Sequence, residues 1–284
     1  MTPTATQPAT DLRRHIDEAL ASIRERSAMS PSVVIVLGTG LGGLAEKVKD
    51  ATIIPYEEIA NFPVSTVVEH EGKLVLGTLA GREVAVMQGR HHCYEGYTPQ
   101  EVVFPVRVLR ALGADTLIIT NAVGGMNPLM PPGTIVAVID HINLMGLNPL
   151  IGPNEDSIGP RFPDMSEPYS RDLVALAERV ALEKQMTLAK GVLVGVVGPN
   201  LETAAEYRFL RQIGGDVVSM SMVPENIAAI HAGMRVLGFS VVTDSCLPDA
   251  LKPANIEEIV RTANETGPRL DALIQGVLAQ LDEA

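Results

Sequence analysis

The sequence predicts an α/β protein: one domain built on a mixed, mostly parallel β-sheet covered by helices. Three observations predict it. Short apolar runs such as Val33-Val34-Ile35-Val36-Leu37 are continuous rather than alternating, as in strands buried on both faces. Such runs alternate along the chain with segments of helical periodicity, the order that parallel strands and crossover helices require. The 284 residues are 46% hydrophobic and 20% charged, a globular balance with enough chain to bury a large core.

Taken in order, residues 1–9 are rich in Thr, Pro and Ala and read as a disordered lead, leaving 10–284 as the domain. Thr10 or Asp11 can cap a first helix, whose apolar positions Leu12, Ile16, Leu20 and Ile23 recur at three- and four-residue steps. The first strand, Val33–Leu37, is bounded by Pro31 and Gly38 and is too short for a free-standing helix. Further strands are expected at Lys73–Leu79, Glu83–Gln88, Thr116–Thr120, Thr134–Ile139, Val192–Val197 and Val236–Thr243. Between them, Thr98-Pro99-Gln100-Glu101 opens a helix with a capping box and Pro at the first helical position. Ser170-Arg171-Asp172 opens another, Pro224-Glu225 a third, and Asn255-Ile256-Glu257-Glu258 a C-terminal helical region that Gly267-Pro268 is expected to break or kink. Leu147–Ser166, rich in Gly, Pro and Asn, reads as one long surface loop of the functional kind.

Charge and composition narrow the function. Lys and Arg number 22 against 34 Asp and Glu, a formal net charge of −12, which repels nucleic acid and anionic membrane surfaces as main partners. A small anion in a local pocket stays compatible with it. The 2 cysteines, Cys93 and Cys246, are far apart and offer neither a zinc site nor a disulfide framework, so a reducing cytoplasm is the expected location. No apolar run approaches the roughly 20 residues that span a bilayer, and the N-terminus lacks the apolar core of a secretory signal.

The chemistry concentrates in loops. The first strand runs into Gly38-Thr39-Gly40-Leu41-Gly42-Gly43, the spacing of a dinucleotide-binding turn, with Glu57 and Glu58 about 20 residues on. The helix between would be short, Leu41 to about Lys49, and Pro55 interrupts the next β-like stretch, so the dinucleotide reading is weak. The general content holds: free backbone N–H groups and a helix start suit a phosphate. A tight turn needing glycine for backbone reasons is the bland alternative. Thr116–Thr120 runs into Asn121-Ala122-Val123-Gly124-Gly125-Met126-Asn127-Pro128, a second glycine-bearing loop expected on the same rim of the sheet. Between the two, Gly89-Arg90-His91-His92-Cys93-Tyr94-Glu95-Gly96-Tyr97 gathers an Arg, two His, two Tyr and a Glu in a chain with only 6 His and 5 Tyr. Arg supplies a forked, permanently charged donor for a phosphate, and His can donate or relay a proton.

Together, Leu37–Leu44, Gly89–Tyr97, Thr120–Pro128, Gly198–Thr203 and Ser219–Glu225 resemble, in order, the motifs of trimeric-type purine nucleoside phosphorylases, with similarity from about Pro31 to Asp249. The resemblance implies a nucleoside phosphorylase-like fold and phosphorolysis of a purine nucleoside in purine salvage. Inorganic phosphate is then co-substrate, with no metal and no other cofactor. It places phosphate on Thr39, His70, Arg90, His92, Ala122 through its backbone N–H, and Ser221. Glu95 orients His92, and Tyr94, Met220 and Ile256 fall at ribose positions; His91 reads as structural. Leu201, Glu202, Thr243 and Asp244 line the base, with His92, Glu202 and Asp244 as the catalytic set. Glu202 has a rival reading as a first-turn acid favoured by the dipole of the next helix. A homotrimer is implied too, with the Ile158 loop near the neighbouring site.

Several residues depart from the usual pattern and bear on substrate choice. Asp244 stands where Asn is usual in 6-oxopurine-specific members, Met222 replaces a Thr, and Ile256 falls where a His reaches the ribose 5′-hydroxyl. Leu193 and Leu201 replace aromatic residues, and Ile158 a Phe contributed across the trimer interface. Inosine and guanosine are the expected substrates, with use of adenosine through Asp244. The nearest alternative is 5′-methylthioadenosine phosphorylase, towards which Asp244 and Ile256 lean. A nucleoside-binding protein without activity is the alternative from another class, against which Arg90, His92, Glu95 and Glu202 together argue.

Overall fold

Why the first strand is apolar at every position is visible in its two neighbours. β1 (Val33–Leu37) is hydrogen-bonded in parallel to β4 (Arg82–Gln88) on one side and to β5 (Thr116–Gly125) on the other. Its alternate residues feed two separate cores: Val34 and Val36 one, Val33, Ile35 and Leu37 the other. A strand with helices on both faces has no solvent side, so it reads as a continuous run. The computed structural model describes residues 7–64 and 72–283.

Among the described residues, nine strands form one sheet. At one edge β2 (Lys49–Pro55) and β3 (Lys73–Leu79) add antiparallel to β4. On the other side the sheet curls until it closes. β5 pairs antiparallel with β8 (Val217–Ser219), which pairs parallel with β7 (Ala189–Gly195), itself parallel to β6 (Ile135–Asn143). β6 meets β9 (Arg235–Ser245) antiparallel, and β9 returns to β5 in parallel. Counting across these ladders, five of the nine pairings are parallel.

Helices α1 (Gln7–Arg24), α2 (Pro99–Leu112) and α5 (Val223–His231) share the first core with β1, and α3 (Arg171–Glu183) and α6 (Ile256–Ala279) the second. A small third cluster lies under α4 (Ala204–Gln212), where Tyr207 and Leu210 meet Met126, Val194, Val218 and Cys246.

Several elements differ from expectation. α1 begins at Gln7, inside the expected lead; residues 1–6 lie outside the described residues. The second glycine-bearing segment is not a loop: β5 continues through Gly124 and Gly125, held by β9 and β8. The stretch after Gly40 forms a 3-10 helix, Gly42–Lys47, rather than the α-helix a dinucleotide fold needs. α6 passes through Gly267-Pro268 as one element. Its stripe of Ala263, Leu270, Leu273, Ile274 and Val277 is buried, which offsets the one hydrogen bond Pro268 removes. β2 went unread because only Ile53 and Ile54 are strongly apolar in it, and β8 because it has three residues.

Candidate active site

A gap in the sheet makes the site. β1 stops pairing with β5 at Val36–Ile119, and β8 begins only at Gly124. Along that edge Asn121, Ala122 and Val123 therefore have no strand beside them, while β9 covers the other edge. Strand ends converge on this opening: Gly38-Thr39 after β1, Gly89-Arg90 after β4, Met220-Ser221 after β8 and Thr243-Asp244 closing β9. Close approach at the rim demands Gly38, since a Cβ there would sit 2.8 Å from the Asn121 Cα; its N–H donates to Thr120 Oγ1 at 3.1 Å. The result is a cavity of about 180 Å³, opening beside Glu202 and Asp244 into a groove of about 760 Å³.

The inner end is built for an anion. Arg90 is 2% exposed, and its Nη1 donates to Ser221 Oγ at 2.8 Å. Its Nε stands 3.5 Å from Glu225 Oε1, an ion pair without hydrogen-bond geometry. Among the described residues, Arg90 Nε and Nη2 and both Glu225 oxygens have no hydrogen-bond partner. Burial pushes the guanidinium below its ordinary range, against the pull of Glu225. A buried donor pair left open costs free energy unless a ligand satisfies it, so this end is made to receive an acceptor. Behind it, hydrogen bonds link Ser221 to Ser219, Ser219 to Asn121, and Asn121 to Ser240. Met222, next to Ser221, is buried at the N-terminus of α5 with φ +74°, a strained backbone locking the turn.

His92 lies beside this end. Its ring Nδ1 donates to Glu95 Oε1 at 3.1 Å, and the same oxygen accepts the His92 backbone N–H at 2.8 Å, so Glu95 fixes both ring and main chain. Tyr94 stacks on the His92 ring at 4.6 Å. His91 points the other way, packed against Tyr56 and Tyr97, and burial lowers its pKa to about 4.

The outer end carries two acids. Asp244 accepts from Thr243 Oγ1 at 3.0 Å on one oxygen and from Cys246 Sγ at 3.1 Å on the other. Glu202 precedes the cap of α4: Thr203 is the N-cap, and the first-turn acid in its capping box is Glu206. The dipole role that competed for Glu202 thus belongs to another residue. Gly198 lets the preceding loop fold against Met220, whose Sδ would stand 2.2 Å from a Cβ there.

Thr39, Arg90, His92, Tyr94, Ala122, Leu201, Glu202, Met220, Ser221, Thr243 and Asp244 all line this one cavity, and Glu95 sits behind His92. His70 lies outside the described residues. Ile256 is a correction. It opens α6 at 59% exposure and stands away from the cleft, while Ile259, one turn further, lines it. The N-cap residue Asn255 fixes where the turn begins, and the first helical position is thrown outward. Leu193 is a second: it is wholly buried in β7, and Val196, just past the strand, lines the cleft instead. Ile158 packs half-buried against the core of its own chain. Sequence reasoning missed Glu225, Tyr207, Ser219 and Ile259, of which Ser219 and Glu225, the two ends of a quoted motif, carried a signal.

Residues 32–279 match the phosphorylase superfamily. Purine nucleoside phosphorylase 1 of Bacillus subtilis (strain 168) is 46% identical over 271 residues, 95% of this chain and 100% of its own length. The purine nucleoside phosphorylase of Bos taurus is 46% identical over 258 residues, 88% of this chain and 89% of that one. Among solved structures, a schistosoma purine nucleoside phosphorylase in complex with hypoxanthine has a TM-score of 0.90 at 40% identity, covering 94% of this chain and 97% of that chain. Relatives of this name favour that activity over 5′-methylthioadenosine phosphorylase. With an open, buried guanidinium at one end of its cleft and two acids at the other, the chain belongs to the phosphorylase superfamily, among the pentosyltransferases known as purine nucleoside phosphorylases.

Proposed function

We propose that this cleft cleaves purine ribo- and 2′-deoxyribonucleosides with inorganic phosphate, giving the free purine and the (2-deoxy)ribose 1-phosphate, a salvage reaction of the cytoplasm. Arg90 is the observation that carries the reading: a buried cation whose Nε and Nη2 have no hydrogen-bond partner among the described residues, opening into the same cavity as Glu202 and Asp244. Phosphate held by Arg90, Ser221, Thr39, His92, the Ala122 N–H and, in the segment outside the described residues, His70 attacks the anomeric carbon. Glycosidic cleavage builds positive charge on the sugar and negative charge on the departing base. The enzyme holds the nucleophile beneath the sugar and meets the base with hydrogen bonds. Glu202 accepts from N1–H and a 2-amino group of a 6-oxopurine. Tyr94 and Met220 pack the ribose. Phosphate is the only co-substrate required, and no cofactor enters the reaction.

Inosine and guanosine are the main substrates, and adenosine is used as well, because a carboxylate at Asp244 accepts from a 6-amino group as an amide oxygen would. Solved schistosoma relatives hold inosine, adenosine and guanosine. The working form is a homotrimer in which the Ile158 loop approaches the neighbouring site; the exposed Phe162 and Ile151 beside it are suited to burial between subunits.

Arg90→Lys tests the anion end. Truncation to Ala would strand Glu225 as a buried charge and confuse stability with binding. Lysine keeps the charge and loses the fork, so the KM for phosphate should rise about tenfold with the KM for inosine nearly unchanged. An isolated rise in the inosine KM would remove Arg90 from the phosphate site.

A further inference from the structure

The two acids at the outer end are joined through residues that no part of the reading above uses. Cys246 lies just beyond β9 and is 1% exposed; Tyr207 lies in the second turn of α4 and is 3% exposed. The Cys246 thiol donates to Asp244 Oδ2 at 3.1 Å. Tyr207 packs with Cys246 in the small cluster under α4 and lines the cleft together with Glu202, so its single phenol proton can serve one of the two at a time. Glu202, Tyr207, Cys246 and Asp244 thus form one contiguous group, from the loop before α4 to the end of β9. The room for it is built in: a Cβ on Gly124 would lie 2.6 Å from the Cys246 sulfur, and the Cys246 N–H is tied to Gly125 O at 2.8 Å. Both residues belong to the small apolar cluster under α4, yet the Cys246 thiol is directed at a cleft acid and Tyr207 reaches the cavity wall.

We propose that Cys246 and Tyr207 are positioning residues that set which purine the cleft accepts, by holding the carboxylates of Asp244 and Glu202 in fixed orientations. The inference rests on the base-end reading of Asp244 and Glu202. Asp244 accepts from Thr243 on one oxygen and from Cys246 on the other, so its plane is fixed from both sides and the remaining lone pairs are presented to the ligand as acceptors. An acceptor pair so held favours the 6-amino group of adenine over the 6-oxo group of hypoxanthine. Burial keeps both donors protonated: it drives the Cys246 thiol and the Tyr207 phenol well above their usual ranges, the thiol with help from Asp244. Tyr207, on the cavity wall beside Glu202, backs that carboxylate with its phenol, and Glu202 faces the N1–H and 2-amino edge that distinguishes guanine.

The test compares the parent with Cys246→Ala, Cys246→Ser, Tyr207→Phe and Asp244→Asn. Dissociation constants for adenine, hypoxanthine and guanine are measured calorimetrically in the presence of inorganic phosphate, on variants whose melting shows them folded. Removing the thiol donor in Cys246→Ala should shift the adenine-to-hypoxanthine preference about tenfold towards hypoxanthine, while Cys246→Ser, which keeps a donor, should stay within about threefold of the parent. Tyr207→Phe should lower the preference for guanine over hypoxanthine by a similar factor. If Asp244→Asn shifts the adenine preference and Cys246→Ala does not, or if serine fails to restore it, the positioning role is wrong and the base-end reading stands. If Asp244→Asn also leaves it unchanged, the base-end reading fails and takes this inference with it.

Discussion

Arg90 and Ile256 mark the two extremes of what single residues disclosed. Arg90 could be assigned from its company, because an Arg beside two His in a chain with 6 His is a dense polar cluster whatever the fold. Its buried, half-open hydrogen bonding could not, since Glu225 and Ser221 reach it from more than a hundred residues away. Ile256 lies at a helix start, where a shift of one turn moves a side chain from cleft to solvent. Ile259 takes over its argument. An apolar residue near the sugar gives the 5′-hydroxyl no partner and rejects it by a factor on the order of a hundred at most. It gains about 0.8 kcal/mol for each methylene buried in the hydroxyl's place. The parent should therefore use 5′-deoxyinosine nearly as well as inosine, and Ile259→His should favour inosine several-fold. Comparing kcat/KM for the two nucleosides in both proteins checks this, and an unchanged ratio would put Ile259 away from the 5′ position.

At the scale of elements, the doubly buried strands were the most legible part. β1 and β3 have the bounds their apolar runs suggest, and Thr98 and Asn255 cap the helices they were expected to open. What stayed hidden was continuity set by distant partners. Gly124-Gly125 reads locally as a turn, yet ten residues of β5 remain extended because β9 and β8 supply hydrogen bonds that local propensity cannot anticipate. The same pairing leaves the opening at Asn121–Val123, so the site is a consequence of strand lengths. Gly38→Ala probes that link. Its methyl would press on the Asn121 backbone at 2.8 Å, where neither side can yield like a flexible side chain. A loss of about 1–3 kcal/mol in folding stability is expected, with a raised KM for phosphate. Denaturant midpoints and phosphate titrations read the two effects; an unchanged midpoint would mean that β1 and β5 can part without cost.

The whole molecule combines a net charge of −12 with a buried cation in its cleft, so an anion bound there would be held locally against the overall field. The bulk composition could give the fold class and nothing of this contrast. Desolvation also depresses three histidines: it holds His91 at about 4 and lowers the half-buried His141 and the buried His231, the last with Arg107 adding to the effect. Their folded pKa values lie below that of the unfolded chain, so the native state keeps them neutral while the unfolded state takes up protons first. Stability is then fully present above about pH 6.5 and falls as the pH drops below it, down to about 4 for His91. Between pH 7 and 5 the His91 contribution is about 2 kcal/mol, so His91→Phe should flatten that part of the stability curve by this amount. Equal slopes in denaturant unfolding of the two proteins would show that His91 is protonated in the folded state. Phosphorolysis requires that the open guanidinium at the gap hold the nucleophile. Incubating the protein with inosine, with and without inorganic phosphate, and resolving the products tests this most directly. Hypoxanthine and ribose 1-phosphate in equal amounts, formed only when phosphate is present, are the expected products; hypoxanthine released at the same rate without phosphate, with free ribose beside it, would contradict phosphorolysis.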